Sequence, residues 1–455
     1  MPAGDLRGGE SVASPAHLLQ LSGTAAERGH AHGYLLAPQI IDWFVFYQLR
    51  TNMKGNLTWY NEFSEYWLST QHTPAAFQAE VEAMAEGMRA AATARNFSLF
   101  VPELGRDFGA SEIYMLNAYL EATPGNSALT EGPFVGGAAD APACSQFVTW
   151  GAATADGSPL AGRNMDGECD APFYSTVHHL LVVAVAGEGE KRYVSVMWPG
   201  HVGGLSLFNE DGLYLMLNCG SMGPPGRVVT NLTNIEYQMR AIVSRLGSDE
   251  ATPEAIGTEF GRFASSGGGV SGAGSVIVFA RSSHRSSSST TTTTTNRSAS
   301  PLGFVAELDR YTVHMRTPGP AEVKVAQTNH FIEYGVGKDD PSGDPLSPWL
   351  NFGKPVARPA VSSHWRLQAL KSGLDSQHRL AVATSGGVGA LALADVGGFL
   401  ARAGHGSTEH SVGWAPDALR FALAVAAPES TGGAWDAPNQ PFVEYDFEEV
   451  FTAWP

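Results

Sequence analysis

The stretch CSQFVTWGAATADGSPLAGRNMD, residues 144–166, decides the fold. Two apolar runs flank the turn residues Ala155–Gly157, a pattern that predicts a β-hairpin. A hairpin of this length returns Arg163 and Asp166 beside the start of its first strand, where Cys144 lies. A guanidinium near a thiol favours the thiolate, and a carboxylate holds an adjacent ammonium group. The stretch therefore predicts a reactive cysteine; a small core cysteine and a turn-end ion pair are the alternatives.

The segment before this hairpin is predicted to be mainly helical. Residues 27–49 are dense in apolar side chains, and a second helix is predicted to open at Thr73-Pro74. Within it, apolar residues at steps of four, three and four predict one buried face, formed by Phe77, Val81, Met84 and Met88. Residues 124–143, rich in Gly, Ala and Pro, are predicted to form a linker.

The segment after the hairpin reads mainly as strands with a few helices. Strands are predicted at 177–187, 191–198, 274–280 and 322–328, a second hairpin at 205–218, and helices at 235–246, 252–263 and 364–374. This order favours an α+β sandwich over an alternating parallel sheet. Residues 282–300, mostly Ser and Thr, are predicted to be a disordered surface loop.

Composition excludes several classes of protein. The chain has 455 residues with a formal net charge of −17, 43% hydrophobic residues and 16% charged ones, which predicts a soluble globular protein. The acidic balance argues against nucleic-acid or anionic-membrane partners. No apolar run is long enough for a membrane span, and no export signal is visible, which leaves the compartment open.

Common cofactor and metal signatures are also missing from the sequence. Cys144, Cys169 and Cys219 form no Cys-x-x-Cys pair, so neither structural zinc nor a disulfide scaffold is expected. His30 and His32 lack a third nearby ligand, and no phosphate-binding or dinucleotide-binding loop is present. We expect no metal and no cofactor.

Four segments resemble one known family, and they occur in that family's order. They are GTAAERGHAHG (23–33), residues 144–166, FNEDGLYLMLN (208–218) and QTNHF (327–331). The chain is similar to the penicillin acyltransferase-like (acyl-coenzyme A:6-aminopenicillanic acid acyltransferase-like) family of cysteine N-terminal-nucleophile hydrolases, relatives of the choloylglycine hydrolases. The resemblance implies a four-layer αββα sandwich and self-cleavage before the cysteine. Chains 1–143 and 144–455 would then stay associated as a heterodimer.

The resemblance also implies roles for six residues. The nucleophile is Cys144, whose own α-amine serves as base; Arg163 and Asp166 orient it, Asn218 and Asn329 mark the oxyanion contacts, and Arg366 is a further active-site arginine. Taken alone, each asparagine is more typical of a turn or strand end. The sequence departs from the family pattern at Ala143, because glycine commonly precedes the nucleophile in this family. Alanine tolerates strained backbone less well, so slower or absent self-cleavage is one consequence.

These observations predict a self-processing cysteine N-terminal-nucleophile amidohydrolase or acyltransferase. It cleaves or transfers an acyl group from a small linear amide through a thioester at Cys144. The predicted organisation is a helical N-terminal segment, 1–143, followed by the hydrolase core, 144–455. Two alternatives remain open: a phospholipase B-like lipid hydrolase or amidase of the same fold, and a binding protein that has lost processing.

Overall fold

The computed structural model describes thirteen parts of the chain: residues 4–7, 16–118, 144–167, 179–219, 231–265, 274–279, 302–308, 313–329, 332, 358–383, 391–404, 408–427 and 435–452. The predicted linker 124–143, including Ala143, lies outside the described residues. So do the predicted loop 282–300 and Cys169, as well as the side chain of Cys219.

Eight α-helices lie within the described parts of the chain. They are α1 (Ala25–Trp43), α2 (Leu57–Thr70), α3 (Ala75–Arg95), α4 (Ala110–Asn117), α5 (Ile235–Val243), α6 (Pro253–Ser265), α7 (Arg358–Ala383) and α8 (Val396–Leu400). The helix α1 begins with a capping box, in which Thr24 and Glu27 each satisfy a backbone N–H of the other residue. It continues directly into a π-helical segment, Phe44–Asn52.

The helices α1 and α3 pack closely because glycines line their contact. A Cβ atom at Gly33 would lie 2.0 Å from the carbonyl oxygen of Met84, and one at Gly87 would lie 2.0 Å from that of His30. Only glycine permits such an approach of two backbones. The predicted apolar face of α3, which includes Phe77 and Val81, is buried against the core, so that prediction is confirmed.

The strands form two large sheets and one short ribbon. The strands are β1 (Gly4–Arg7), β2 (His17–Gly23), β3 (Phe100–Val101), β4 (Arg106–Asp107), β5 (Cys144–Thr149), β6 (Leu160–Asp166), β7 (Leu181–Gly187), β8 (Tyr193–Met197), β9 (Ser206–Asn209), β10 (Tyr214–Cys219), β11 (Gly274–Phe279), β12 (Gly303–Leu308), β13 (Val313–Arg316), β14 (Lys324–Gln327), β15 (Thr408–Ala415), β16 (Arg420–Val425) and β17 (Val443–Asp446). One sheet runs β1-β2-β7-β8-β9-β10-β11-β12-β13, and the other runs β14-β5-β6-β15-β16-β17; β3 and β4 pair separately.

The N-terminal segment differs from its mainly helical prediction, since it supplies β1 and β2 to the nine-stranded sheet. Strand β2 pairs in parallel with β7, from His17 opposite Leu181 to Gly23 opposite Gly187. Only Leu19 and Leu21 of this strand are buried, so its apolar pattern is short. The strand exists because β7 supplies its hydrogen-bond partners, which local sequence does not encode.

The two sheets contact each other through β5, which lies against β10 and β11, and through β14, which lies against β12. Aromatic side chains fill part of the core, where Phe208 stacks on Trp414 with ring centroids 4.6 Å apart. Helix α7 packs against β5 and β14, and α1 packs against β1 and β2. The fold is therefore α+β, with nearly all strand pairs antiparallel.

Candidate active site

The predicted hairpin of residues 144–166 forms, and its register places the reactive groups. Strands β5 and β6 pair antiparallel, with Cys144 opposite Met165 and Gln146 opposite Arg163. Because side chains alternate along a strand, these four residues share one face of the sheet. That face points toward the nine-stranded sheet, where the Gln146 amide donates to the carbonyl oxygen of Met216 at 3.3 Å.

Arg163 contacts the sulfur of Cys144 and also hydrogen-bonds to the nine-stranded sheet. Its Nη2 donates to Cys144 Sγ at 3.3 Å and to Met165 Sδ at 3.4 Å. The same nitrogen donates to the carbonyl oxygen of Leu217 at 2.7 Å, and Nη1 donates to Ser206 Oγ at 2.9 Å. The planar fork of an arginine makes these contacts together, whereas a lysine ammonium does not match them.

The backbone of Cys144 is held by two residues from distant parts of the chain. Its N–H donates to Asn329 Oδ1 at 2.7 Å, and its carbonyl oxygen accepts a hydrogen bond from Arg366 Nη1. Arg366 Nη2 also donates to Asn329 Oδ1, at 2.9 Å. The Arg366 guanidinium thus bridges the carbonyl oxygen of Cys144 and the Asn329 side-chain oxygen that accepts the Cys144 N–H.

Asp166 completes this group of charges at the end of β6. Its Oδ2 lies 3.8 Å from Arg366 Nη1, and both side chains are buried. The Thr408 hydroxyl at the start of β15 donates to its Oδ1. Asp166 therefore faces the second arginine of the site and places a negative charge near the Cys144 backbone.

Burial and charge act on the Cys144 thiol in opposite directions. The residue is 1% exposed, and this burial raises the pKa of the thiol. The positive charge of Arg163 lowers the thiol pKa, the Asp166 carboxylate raises it, and the Asp166 backbone N–H and Arg366 lower it. Burial also lowers the pKa of Arg366, while Asp166 and Cys144 raise it. Burial is the largest of these effects, so the pKa of the thiol is raised, and the two buried guanidinium groups offset only part of that rise.

Asn329 lies just beyond β14 and is fixed by α7. Strand β14 pairs with β5, which brings Gln327 opposite Gln146 and carries Asn329 to the end of the hairpin. The backbone N–H of Asn329 donates to Ser363 Oγ at 2.8 Å. The Thr328 hydroxyl donates to the Ser363 carbonyl oxygen at 2.9 Å. One helix thereby positions both Asn329 and Arg366.

Asn218 is near this group but its side chain turns away from Cys144. Its Nδ2 donates to the carbonyl oxygen of Gln327 at 3.0 Å, and its Oδ1 has no hydrogen-bond partner among the described residues. Its neighbour Leu217 accepts the hydrogen bond from Arg163. The structure thus brings five predicted residues into direct contact, Cys144, Arg163, Asp166, Asn329 and Arg366, with Asn218 one residue away.

Several residues that shape the site were not predicted from the sequence. Ser206, Ser363 and Thr408 each hydrogen-bond a residue of this group. Met165 lies against Cys144, with their sulfur atoms 3.6 Å apart. Met165 lies within the motif GRNMD, and the predicted hairpin that places Arg163 beside Cys144 could also have placed Met165 there. The other three carry no local signal, because serine and threonine are common at strand and helix ends.

Within the described parts of the chain, no cluster of three or more His, Cys, Asp or Glu residues is arranged to hold a metal ion. No helix there is long and apolar enough to cross a bilayer. What the site contains is a buried cysteine between two arginines, with a carboxylate and an asparagine at its backbone. Chemically, a thiol beside fixed positive charges can serve as a nucleophile in acyl transfer.

Comparisons with known proteins give remote structural similarities. No family model matches the chain, and no curated protein matches it. A Caenorhabditis elegans orthologue of N-acylethanolamine-hydrolyzing acid amidase is 13% identical, with a TM-score of 0.36 over 67% of this chain and 99% of that one. A mutant conjugated bile acid hydrolase from Clostridium perfringens is 11% identical, with a TM-score of 0.33 over 66% and 96% of the two chains. Penicillin V acylase from Agrobacterium tumefaciens is 12% identical, with a TM-score of 0.34 over 67% and 91%.

Proposed function

We propose that the protein is a self-processing cysteine N-terminal-nucleophile amidohydrolase or acyltransferase. The observation that carries this proposal is the pair of contacts at Cys144, whose sulfur binds Arg163 and whose backbone nitrogen binds Asn329. A cysteine used only for packing does not need a guanidinium at its sulfur. The proposal includes a four-layer arrangement; it is supported by the packing of α1 on one of the two contacting sheets and of α7 on the other.

Self-cleavage follows from the same contacts. The sulfur of Cys144 attacks the carbonyl carbon of Ala143, and the bond from that carbon to the backbone nitrogen of Cys144 breaks. The nitrogen leaves with the proton of the thiol, so the acyl group moves from nitrogen to sulfur. Water then hydrolyses this thioester, which gives a carboxylate at Ala143 and a free α-amine at Cys144. Asn329 Oδ1, already 2.7 Å from that nitrogen, accepts a hydrogen bond from the new amine.

Turnover uses the amine as base and the thiol as nucleophile. An α-amine titrates near pH 8, so near neutrality it takes the thiol proton without a histidine. The thiolate, stabilised by Arg163, adds to the amide carbonyl of the substrate. The departing amine takes a proton from the α-ammonium, and a thioester remains on Cys144. Water then releases the acid, or a second amine takes the acyl group.

Contacts across the boundary between residues 143 and 144 support the association of the two proposed chains. Strand β2 of the first pairs along its whole length with β7 of the second. Across the same boundary, Arg28 lies 3.0 Å from Glu190, and Glu80 lies 2.6 Å from Arg240. Three of these four charges are nearly buried, so separation would leave them unpaired at a high cost.

Denaturing electrophoresis with N-terminal sequencing tests the proposal. The 48.2 kDa chain should appear as pieces of about 15 and 33 kDa, the larger one beginning at Cys144. Cys144→Ala should abolish both cleavage and turnover on soluble amides. Cys144→Ser should yield a processed but slow enzyme, because a hydroxyl is the poorer nucleophile near neutral pH.

Cys169→Ala and Cys219→Ala are the matched controls for these variants. Both should cleave and turn over like the wild type, apart from a packing cost of about 1–2 kcal/mol where the thiol is buried. Active enzyme that runs as a single uncut chain, or a fully active Cys144→Ala variant, would refute the proposed mechanism.

A further inference from the structure

The connection between β8 and β9 contains a glycine-rich loop, residues 200–204 (GHVGG), that the proposed chemistry does not use. All five residues of this loop are buried. Backbone N–H and C=O groups that are buried outside a helix or sheet need hydrogen-bond partners from elsewhere in the protein. For the 200–204 loop, several of those partners are side chains of the N-terminal segment.

Asn117, the last residue of α4, binds the backbone of this loop at two points. Its Nδ2 donates to the carbonyl oxygen of Gly200 at 2.9 Å, and its Oδ1 accepts the N–H of Val202 at 2.9 Å. The side chain is buried, and its Nδ2 also donates to the carbonyl oxygen of Ile113 at 2.9 Å, one helical turn earlier. A side-chain amide offers donors and an acceptor at a fixed spacing. Asn117 therefore supplies the loop with the partners that a neighbouring strand would supply in a sheet.

Other side chains of the N-terminal segment hold the same loop. His32 Nε2 accepts the N–H of Gly200 at 3.1 Å, and the Trp43 indole donates to His201 Nε2 at 3.3 Å. Burial lowers the pKa of His32 to about 4, so its ring is neutral near pH 7 and its Nε2 remains an acceptor. Gly200 has a φ of 85°, and a Cβ atom there would lie 2.8 Å from the Leu116 side chain. The loop thus fits closely against the N-terminal segment.

The loop leads directly into the strand that holds Arg163. Ser206, two residues after the loop, begins β9, and its Oγ accepts a hydrogen bond from Arg163 Nη1 at 2.9 Å. The carbonyl oxygen of Leu205 accepts the N–H of Leu217 at 3.0 Å. The Leu217 carbonyl oxygen in turn accepts from Arg163 Nη2 at 2.7 Å, and this Nη2 lies 3.3 Å from Cys144 Sγ. Both oxygen acceptors of the guanidinium therefore depend on where the loop places the start of β9.

We propose that Asn117 is a positioning residue for Arg163. By fixing the 200–204 loop, it sets the place of Ser206 and thereby the contact between the guanidinium and the sulfur of Cys144. The N-terminal segment supplies no reacting atom, yet it holds the cation of the site in place. This inference rests on the proposed function, because it gives the smaller chain a task after self-cleavage: the larger chain alone lacks the contacts from Asn117, His32 and Trp43.

Asn117→Ala tests the proposal, because it leaves two backbone groups of the loop without their partner. The variant should fold, since His32 and Arg240 still hydrogen-bond the loop backbone. The measurement follows alkylation of Cys144 by iodoacetamide against pH, with the modified peptide quantified by mass spectrometry. Because Arg163 is then held less closely to the sulfur, alkylation at pH 7 should fall about threefold or more, which corresponds to a thiol pKa about 0.5 higher.

Asn209→Ala is the matched control for a general loss of stability. Asn209 is also buried, and its Nδ2 donates to the carbonyl oxygens of Val243 and Leu246, both at 2.8 Å. It lies at the end of β9 away from Ser206. The control should lower the melting temperature about as much as Asn117→Ala and leave the Cys144 titration unchanged. Equal shifts of the titration in both variants would show that any loosening suffices, and would overturn the proposal.

A double variant shows whether the effect passes through Arg163. In an Arg163→Met background, Asn117→Ala should not change the Cys144 titration further, because the cation that it positions is gone. A shift of the same size in both backgrounds would contradict the proposal. Trp43→Phe, which removes one hydrogen bond from the loop and keeps a ring, should shift the titration in the same direction by less. It decides the question if Asn117→Ala does not fold.

The thiol titration also separates this proposal from the proposed function. The ultraviolet absorbance of the thiolate, corrected with Cys144→Ala, gives the titration without any reagent reaching the sulfur. A chain that stays uncut and inactive but shows the Asn117→Ala shift refutes the proposed function and supports the positioning of Arg163. An enzyme that cuts itself and turns over, with coincident titrations in the wild type, Asn117→Ala and Trp43→Phe, overturns the positioning role alone.

Discussion

Replacement of Arg163 by methionine removes the charge beside the Cys144 thiol while keeping most of the side-chain volume. The structure gives the scale, since Nη2 lies 3.3 Å from the thiol sulfur. Unit charges at this distance attract by about 5 kcal/mol at an effective dielectric constant of about 20. The guanidinium charge is delocalised and is shared with other acceptors, so about half of this energy, corresponding to about 2 pKa units, is a realistic expectation.

We therefore expect Arg163→Met to raise the pKa of the Cys144 thiol by about 2 units and to lower the thiolate fraction at pH 7 about 100-fold. Alkylation of Cys144 against pH measures the shift directly, and turnover at pH 7 should fall by a similar factor. The variant also leaves Ser206 Oγ and the Leu217 carbonyl oxygen without their donor, at about 1–3 kcal/mol each. Thermal melting separates that cost from the effect on the thiol.

Arg192→Met is the matched control, because this arginine binds Glu210 and Glu448 in a partly exposed ion-pair network. Partly exposed ion pairs of this kind contribute little to stability, and this one does not contact Cys144. The pKa of the Cys144 thiol should therefore be the same as in the wild type. If the Arg163→Met variant is folded and its Cys144 thiol has the same pKa as in the wild type, the assigned role of Arg163 is refuted.

Three further variants test other contacts. Asn329→Ala should still be cut, at the normal rate or more slowly, yet lose turnover by about 100-fold, the scale of one oxyanion donor, in a steady-state amide assay. Gly33→Ala should destabilise the fold by about 1–3 kcal/mol, measured by denaturant unfolding, because the new Cβ meets the Met84 carbonyl at 2.0 Å. Arg240→Met should cost about 3–5 kcal/mol in the same assay, since Glu80 loses its 2.6 Å partner in a buried pair. If any of the three variants shows the turnover or unfolding free energy of the wild type, the role proposed for that contact is wrong.

Local patterns were sufficient for the elements whose partners lie close along the chain. The hairpin of residues 144–166 was predicted from its turn and its two apolar runs, and β5 and β6 pair as expected. The apolar face of α3 was predicted from helical spacing alone. Helix boundaries were less certain: α3 begins at Ala75, after Pro74, one residue later than the sequence indicated.

Strand β2 and the orientation of Asn218 show where local patterns fail. His17–Gly23 becomes a strand because β7 lies beside it, and 164 residues separate each pair of partners in their register. Asn218 occupies the predicted end of a strand, yet its amide donates to Gln327 and not toward Cys144. Which way an amide turns depends on the acceptors that folding brings to it, and those come from another sheet.

The sequence by itself determined that Cys144, Arg163 and Asp166 meet, since a hairpin register is fixed by the turn between its strands. Only the tertiary structure decided that Asn329 and Arg366, 185 and 222 residues further along the chain, hold the nitrogen and the oxygen of the same cysteine. Contacts at such separations arise from the packing of whole sheets and helices, so no short stretch of sequence contains the information that specifies them.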